Sequence, residues 1–304
     1  MKHPEYNRLK ELVELHIMDF LPEIDPKSNT LYDAMRYSLM AGGKRLRSVL
    51  LLAACEFCGE SANIGLPYAC ALEYIQTYSL IHDDLPAIDD DELRRGVPTN
   101  HMVYGEAIAI LAGDGLLSAA FETMTKDMLL YLDDPEILNR KVRAAFEISK
   151  GVGCRGMVAG QVADVEAINC QCSKEMLDYI HLNKTAAFIR SASLAGCYLG
   201  GGDKERLNDL SIYGECLGLA FQIVNDLQDI TGCEKLIGKK QGADCRGHKC
   251  TYPTLYGYRE SVEKAADLLG RARSVMEKYY DEAEIFNAVI DSLEKALVRE
   301  GEHA

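Results

Sequence analysis

Residues 66–92 read LPYACALEYIQTYSLIHDDLPAIDDDE, an apolar stretch that runs directly into a dense group of acids. Up to Ile81, small and apolar residues occupy nearly every face of the predicted helix, which is typical of a central rather than a surface helix. Six acids then fall within the ten positions 83–92. A cluster of carboxylates at the end of a buried helix is costly unless something neutralises it. The stretch therefore predicts a helical core whose central helix ends at a charged site.

The residues alone leave two interpretations of this first acidic motif open. One is a solvated acidic surface, and the other is a site for a hard divalent cation, because all-oxygen ligands suit Mg²⁺. Pro86 cannot continue a regular helix, since its ring would clash with the carbonyl of His82. If the chain bulges there by about two residues, Asp83 and Asp89 return to the i, i+4 relation in which two carboxylates can grip one ion.

The rest of the chain shows apolar residues at spacings of three and four, and it lacks alternating runs that end in tight hairpin turns. No Ser/Gly linker or charge block divides it. We therefore expect residues 1–304 to form a single all-α domain of roughly ten helices or more. The helices are expected near residues 9–17, 31–39, 46–58, 66–84, 105–130, 136–150, 173–200, 205–231, 259–279 and 283–299.

Composition narrows the classes of partner. The 304 residues carry 47 acids against 33 lysines and arginines, a net charge of −14 that disfavours nucleic acid. No apolar run reaches the length of a transmembrane helix, and the N-terminal residues lack a secretory h-region. The 11 cysteines are scattered and form no zinc-type spacing, so we expect free thiols in a reduced cytoplasm.

A second acidic motif lies in FQIVNDLQDITG, residues 221–232, and contains Asn225, Asp226 and Asp229. Asn225 and Asp229 share a helix face at i, i+4. Alone this pattern is weak, because acids on a helix are usually solvated. Beside the first motif it indicates two facing acidic walls with metal ions between them.

Cations are concentrated next to glycines and to the acidic motifs. GGKRLR, residues 42–47, places glycines and three cations at the predicted start of a helix, which suits an oxyanion such as diphosphate. It is not a P-loop, because the G-x-x-x-x-G-K-[ST] spacing is missing. Further cations, which we expect in loops, are Arg94, Arg95, Lys184 (followed by Thr185), Lys239, Lys240 and Lys249.

Motifs for other chemistries, such as G-x-S-x-G and H-E-x-x-H, are absent from the sequence. Metal sites, anion clamps and an apolar cavity together suit heterolysis of a diphosphate ester. In such a reaction the cations stabilise the leaving group and a dry apolar wall shelters a carbocation.

Seven ordered motifs resemble the short-chain trans-prenyl diphosphate synthase family, and most of all its bacterial farnesyl diphosphate synthases. The motifs are GGKRLR, YSLIHDDLPAIDDDELRRGVPTNH, GMVAGQVADV, NKTAAFIR, AFQIVNDLQDITG, IGKKQGAD and KCTYPTLYG. The resemblance implies the isoprenoid synthase fold, a single large helical bundle around a central cavity. It also implies a cytoplasmic homodimer, isoprenoid diphosphate substrates and three Mg²⁺ ions, for which Mn²⁺ is expected to substitute.

The resemblance also assigns roles to individual residues. Metal ligands are expected at Asp83, Asp84, Asp89, Asn225, Asp226 and Asp229. The allylic diphosphate is expected at Arg94, Lys184, Thr185, Gln222 and Lys239, and isopentenyl diphosphate at Gly43, Lys44, Arg47, Gln76 and Arg95, with Lys249 as a further contact. Catalysis is expected to depend on Asp83, Asp84, Arg94, Lys184, Asp226 and Lys239, and product length on Tyr78 and Ser79.

The expected reaction is ionisation of the allylic ester, attack by the isopentenyl double bond and proton loss to the departing diphosphate, giving farnesyl diphosphate. Four positions depart from the family's usual residues: Asn225 and Cys233 replace Asp, Ser48 replaces Pro, and Gln76 replaces the His of many bacterial relatives. Alternatives are a geranyl or geranylgeranyl diphosphate synthase, a non-catalytic partner subunit, and a terpene cyclase.

Overall fold

A computed structural model describes residues 3–23, 25–168, 172–231 and 249–301, and these residues are almost entirely helical. The first helices are α1 (Pro4–His16), α2 (Asn29–Leu39), α3 (Leu46–Phe57), α4 (Ala62–Asp83), α5 (Asn100–Tyr104), α6 (Glu106–Leu129), α7 (Pro135–Val152) and α8 (Met157–Ala167). They are followed by α9 (Lys174–Ile180), α10 (Ala187–Leu199), α11 (Lys204–Thr231), α12 (Tyr252–Tyr256), α13 (Tyr258–Met276) and α14 (Glu284–Gly301). Short 3₁₀ segments span Pro26–Ser28 and Glu277–Ala283.

The all-α prediction is confirmed, with one small exception among the described residues. Two strands of two residues each, β1 (Leu93–Arg94) and β2 (Val97–Pro98), pair antiparallel just after the first acidic motif. Arg95 and Gly96 form the turn between them, and both have positive φ, 55° and 82°. This hairpin turns the two neighbouring arginines, Arg94 and Arg95, back towards the end of α4.

The centre of the bundle is α4, as its lack of a polar face predicts. It packs against α3 and α6 and is buried on nearly all sides. α10 lies between α3, α7 and α11, and α11 packs in turn against α13. The C-terminal ends of α4 and α11, which carry the two acidic motifs, therefore lie within one helical core.

The helix predicted over residues 173–200 is divided. α9 is followed by a π-helical segment, His181–Ala186, before α10 begins. Gly160 of α8 explains the close approach there, because a Cβ at this position would lie 2.1 Å from the backbone nitrogen of Lys184. Single π turns within helices are frequent at functional sites, and this one carries Lys184 and Thr185.

One helix among the described residues, α6, is long and apolar enough to cross a membrane by length and composition alone. The core helices of bundles pass the same test, and α6 packs against α4 and α2. Of its most apolar 18-residue window, 44% is buried inside the bundle.

The prediction of free cysteines is wrong at one pair. Cys172 and Cys250 form a disulfide with their Cα atoms 6.2 Å apart, because the segment before α9 meets the segment before α12. Cysteines 170, 233 and 245 lie outside the described residues. The free thiols among the described residues are those of Cys55, Cys58, Cys70, Cys154, Cys197 and Cys216.

Candidate active site

A cavity of about 870 Å³ lies at the C-terminal end of α4, between α3, α8, the π segment and α11. Its size is typical of a small-molecule site. Three predicted site residues, Asp84, Asp226 and Asp229, do not lie on its wall, and Lys239 is outside the described residues. The wall brings together Gly43, Lys44, Arg47, Gln76, Tyr78, Ser79, Asp83, Asp89, Arg94, Arg95, Lys184, Thr185, Gln222, Asn225 and Lys249.

The first acidic motif is bent as Pro86 predicts. α4 ends at Asp83, and the backbone N–H of Asp89 donates to the carbonyl of Asp83 at 2.9 Å, which closes a turn wider than a regular helical one. This turn brings both Asp83 and Asp89 to the cavity wall. Asp90, in the same loop, takes a left-handed conformation with φ of 52°.

The carboxylate of Asp83 faces the cavity, and among the described residues no hydrogen bond or ion pair to this carboxylate is found. Burial raises the pKa of its carboxyl, Lys184 opposes this rise, and the nearby charge of Asp89 adds to it. Asp89 accepts a hydrogen bond from Lys249 Nζ at 2.8 Å. A carboxylate held in a cavity with a raised pKa is a group that an incoming cation would stabilise.

Asp84 points the other way, into the protein. Its Oδ1 accepts from Nε of Arg94 at 2.8 Å and also from Nη2, while Arg94 pairs with Asp91 at 2.9 Å. Burial raises the pKa of Asp84 to about 6, although Arg94 lowers it. Asp84 is therefore placed to orient Arg94 at the cavity wall.

The glycine turn forms another part of the cavity wall, and a helix, α3, begins within GGKRLR as predicted. Gly42, Gly43 and Arg45 all have positive φ, at 82°, 141° and 53°, and α3 begins at Leu46. Position 43 favours glycine because its φ of 141° is rarely adopted by residues with a side chain, and a Cβ there would also lie 2.9 Å from Cζ of Arg95. Arg95 donates to the carbonyl of Gly42, so the turn and the β hairpin interlock.

Arg45, one of the three cations predicted to hold an oxyanion, is instead neutralised inside the protein. Its Nη1 pairs with Glu73 at 2.9 Å and its Nη2 donates to the carbonyl of Leu39 at 2.8 Å. Ser48, which replaces the family's usual proline, donates its hydroxyl to the same Glu73. Arg45 and Glu73 both line the cavity, but as a mutually neutralised pair, so the cations of this turn that remain for an anion are Lys44 and Arg47.

Arg47 and Gln76 offer unfilled hydrogen-bonding capacity on this wall. Among the described residues, Nε of Arg47 and Oε1 of Gln76 are buried and have no hydrogen-bond partner. Burial lowers the pKa of Arg47 to about 10, so the guanidinium remains charged at neutral pH. It stacks over the ring of Phe188 at 4.7 Å, which fixes its orientation. These features fit a site for a bound anion.

Lys184 and Thr185 enter the cavity from the π segment, not from a loop as expected. Lys184 Nζ donates to Oδ2 of Asp164 at 2.6 Å. Burial alone would lower the pKa of Lys184, but the charges of Asp83 and Asp164 raise it overall. Thr185 donates to Oε1 of Gln222 at 3.0 Å, which holds both residues at the wall.

The second acidic motif presents its neutral member to the cavity. Asn225 lies on the wall, whereas Asp226 and Asp229 are only 3% and 2% exposed. Asp226 accepts from Gln222 Nε2 at 2.9 Å and from the backbone N–H of Tyr252 at 3.0 Å. Nε2 of His181 also lies 3.4 Å from Asp226. Burial lowers the pKa of this ring to about 3, so the ring is neutral.

The donor set fits a hard divalent cation, although no ready-made cluster exists. Among residues 3–23, 25–168, 172–231 and 249–301, no three His, Cys, Asp or Glu side chains are gathered closely enough to hold a metal. The wall nevertheless offers carboxylate oxygens from Asp83 and Asp89 and an amide oxygen from Asn225. All-oxygen donors of this kind suit Mg²⁺, which keeps several waters and is shared with substrate phosphates.

Product length was predicted to depend on Tyr78 and Ser79, and both lie on the cavity wall. Tyr78 is 7% exposed, and its ring contacts His82 edge-on at 5.7 Å. His82 is itself wedged against α6, since a Cβ at Gly113 would lie 2.1 Å from its Nε2. An aromatic ring thus lies on the cavity wall about 1.4 helical turns before Asp83.

Sequence reasoning missed three supporting residues: Asp164, Glu73 and His181. Asp164 had a usable signal, because it lies inside the quoted motif GMVAGQVADV and is the only acid there. Glu73 and His181 had none, since each acts on a residue far along the chain. Their partners are Arg45 and Asp226.

We expect Gly160→Ala to destabilise the fold by about 1–3 kcal/mol, because the added methyl overlaps the backbone of Lys184. It should also reduce any activity that depends on Lys184 and Thr185. Thermal unfolding and a steady-state assay measure the two effects. The matched control is Gly270→Ala in α13, where a Cβ meets nothing within 4 Å. Equal melting temperatures for the two variants would contradict the assigned close approach.

Comparisons with known proteins agree with this geometry. The Polyprenyl synthetase family model matches residues 28–289. The chain is 44% identical over 266 residues to the chloroplastic heterodimeric geranylgeranyl pyrophosphate synthase large subunit 1 of Arabidopsis thaliana, covering 86% of this chain and 70% of the relative. It is also 44% identical over 261 residues to farnesyl diphosphate synthase of Geobacillus stearothermophilus, covering 86% of each.

A similar solved structure is that of geranyltransferase from Helicobacter pylori in complex with magnesium and isoprenyl diphosphate. It aligns with a TM-score of 0.80 at 27% identity and covers 98% of this chain and 99% of that one. The predicted isoprenoid synthase fold is thereby confirmed.

Proposed function

This chain belongs to the polyprenyl synthetase family, and we propose that it condenses isopentenyl diphosphate with dimethylallyl or geranyl diphosphate, giving farnesyl diphosphate and diphosphate. One observation carries the proposal: the same cavity is lined by Asp83 and Asp89 of the first acidic motif and by Lys44 and Arg47 of the glycine turn. Two diphosphates need two such polar regions. The family, the enzyme class and the fold support the reaction type, and the product length is our own inference.

In this proposal the allylic diphosphate lies at the first acidic motif. Arg94, Lys184 and Lys249 surround that part of the cavity and donate to the phosphate oxygens. Mg²⁺, when bound through Asp83 and Asp89 on one wall and Asn225 on the other, would neutralise the leaving group. We propose three such ions, with Mn²⁺ able to substitute.

Isopentenyl diphosphate lies in the glycine turn. The free hydrogen-bonding groups of Arg47 and Gln76, with Lys44 and Arg95, hold its phosphates. The allylic C–O bond breaks, the isopentenyl double bond forms the new C–C bond, and the departing diphosphate takes the proton. Buried apolar wall residues such as Leu46 and Met157 keep water from the cation.

We propose the farnesyl product because the bulky Tyr78 ring lies on the cavity wall, five residues before Asp83, where it would limit the length of the growing chain. Relatives of similar identity include synthases of both farnesyl and geranylgeranyl products. The deciding experiment incubates the purified chain with isopentenyl diphosphate, each allylic starter and Mg²⁺, and then sizes the products. A C15 product supports the proposal, and C10 or C20 alone would contradict its product length.

Asn225 favours a second candidate, a partner subunit that has lost catalysis, because the second motif offers the cavity no carboxylate there. We expect instead a working enzyme with a raised Mg²⁺ requirement, since an amide oxygen can coordinate the ion but lacks its opposite charge.

We predict that Asn225→Asp lowers the Mg²⁺ concentration needed for half-maximal rate by about threefold or more, with a smaller effect at saturating metal. The added Coulomb attraction is partly offset by desolvation of the new carboxylate. A Mg²⁺ titration of initial rates measures this, with Asn225→Gln as the neutral control. Identical titrations for wild type and Asn225→Asp would reject the prediction. A wild type that is inactive at high Mg²⁺ and is rescued only by Asn225→Asp would favour the partner-subunit candidate.

We further propose that residues 1–304 act as one domain in a cytoplasmic homodimer. α6 and α7 expose apolar side chains, among them Leu111 at 54% and Phe146 at 64%, on surfaces that a second copy would cover. Sedimentation equilibrium tests the dimer, and cell fractionation tests the location. A monomer at micromolar concentration would contradict the first.

A further inference from the structure

Residues 249–252, here called the strap, contact both acidic motifs. Lys249 Nζ lies 2.8 Å from Oδ2 of Asp89 in the first motif. Three residues later, the backbone N–H of Tyr252 donates to Oδ2 of Asp226 in the second motif at 3.0 Å. The position of the strap therefore determines whether Lys249 is paired with Asp89 and whether Asp226 is hydrogen-bonded to the backbone of Tyr252.

α9 fixes the strap at two points. Cys250 is bonded to Cys172, two residues before α9 begins. The hydroxyl of Tyr252 donates to Oδ1 of Asp178 on α9 at 2.5 Å. One attachment is covalent and the other is a hydrogen bond, so only the first can be removed by thiol chemistry.

The bond is open to a reductant. Cys172 and Cys250 are both half-buried, whereas the thiols of Cys55, Cys70 and Cys216 are buried. Thiol–disulfide exchange requires that a thiolate reach one of the two sulfurs. The pair also sits at the edge of the bundle, where Cys172 packs against a small cluster that includes Ala163 and Ile180.

We propose that the Cys172–Cys250 bond is a redox-sensitive site, at which a dithiol reductant controls how firmly the strap holds Lys249 at the cavity. The inference rests on the proposed function, because Lys249 is part of the diphosphate site. A reductant thiolate attacks one sulfur, breaks the S–S bond and forms a mixed disulfide. The second reductant thiol then displaces the protein sulfur. Two electrons and two protons pass to Cys172 and Cys250, and the reductant leaves as its own disulfide.

The oxidised form orders Lys249 before substrate arrives. In the reduced form, hydrogen bonds alone hold the strap. The conformational entropy lost when the strap becomes ordered must then be offset by substrate binding, which weakens the observed affinity. We expect reduction to raise the KM for the allylic diphosphate by about three- to tenfold, with kcat changed by less than about twofold. A disulfide that only stabilised the fold would lower the melting temperature and leave KM unchanged.

The experiment compares the full-length protein purified without reductant with the same protein treated with dithiothreitol. Alkylation followed by peptide mass mapping reports whether Cys172 and Cys250 are bonded. Initial rates give KM and kcat, and hydrogen exchange reports protection of the Tyr252 amide. Cys172→Ser removes the bond but keeps Lys249, so it should match the reduced enzyme in either buffer. Cys154→Ser, an exposed free thiol, is the control that should keep the response.

The expected result is alkylation of both cysteines only after reduction, a higher KM and faster exchange at Tyr252. Alkylation of both cysteines before reduction, under air-oxidising purification, would overturn the proposal. So would full reduction, verified by alkylation, with unchanged KM and exchange. If no starter gives product in either redox form, the proposed function fails, and the exchange of Tyr252 still decides the redox inference. Should Cys172→Ser not fold, the wild-type comparison alone is decisive.

Discussion

Asp83→Asn is expected to reduce kcat by about 10³-fold while leaving the fold intact or slightly more stable. The carboxylate lies on the cavity wall, and no hydrogen bond or ion pair to it is found among the described residues. Burial raises the pKa of Asp83, so its charge is held at a cost in the folded state. Removing the charge removes the free-energy cost of keeping a buried carboxylate ionised, which favours the folded state. The proposed reaction, in contrast, loses a metal ligand.

The measurement for Asp83 pairs a steady-state assay with thermal unfolding. Asp133→Asn, an exposed acid in the loop before α7, is the matched control and should retain full rate. A near-normal rate in Asp83→Asn would remove the metal site from the proposal. A large loss of stability would instead show that Asp83 holds the structure together.

Asp84 differs from its neighbour and makes a poorer test of the same idea. Its loss would leave Arg94 with Asp91 as its remaining partner, at a cost of about 1–3 kcal/mol for the broken charged hydrogen bonds. Reduced activity in Asp84→Ala would therefore mix a displaced Arg94 with any direct effect on metal binding.

The second large effect is expected at Tyr78. Tyr78→Ala should shift the main product from fifteen carbons towards twenty or more, because the substitution removes a bulky ring from the cavity wall beside His82. Products extracted after incubation with isopentenyl diphosphate and geranyl diphosphate are sized by chromatography. The variant is expected to lose some stability, since Tyr78 is 7% exposed.

Tyr78→Phe is the control for this test, because it keeps the ring and removes only the hydroxyl. It should give the wild-type product. An unchanged product distribution in a folded Tyr78→Ala protein would mean that Tyr78 is core packing and that chain length is limited elsewhere.

Local features of the site could be predicted from the sequence where neighbours along the chain decide them. Pro86 gives the wide turn between Asp83 and Asp89, and the glycines before Leu46 give the turn that starts α3. The bounds of α4 were predicted as 66–84 and observed as Ala62–Asp83, so the C-terminal end differs by one residue and the N-terminal end by four.

Features that depend on a second chain segment could not be predicted. The spacing of apolar residues gave no sign of the π segment, and the close contact that this segment makes is with Gly160 on another helix. Arg45 lies just after two glycines at the start of a helix, which is a pattern typical of anion binding. Glu73, 28 positions along the chain, nevertheless pairs with it and neutralises its charge. The cysteines of the disulfide are 78 residues apart, and no spacing rule connects them.

In the ion pair between Lys249 and Asp89, the ammonium group already acts as the counterion of the carboxylate before any ligand binds. A monovalent cation that arrives alone gains little by displacing an ammonium already 2.8 Å from the carboxylate. A divalent ion that arrives with a diphosphate brings Lys249 a new anionic partner at the moment its old one is taken, so the total charge stays balanced. Binding of the metal ion together with the diphosphate is therefore favoured over binding of either alone. This preference follows from charge balance and requires no moving gate.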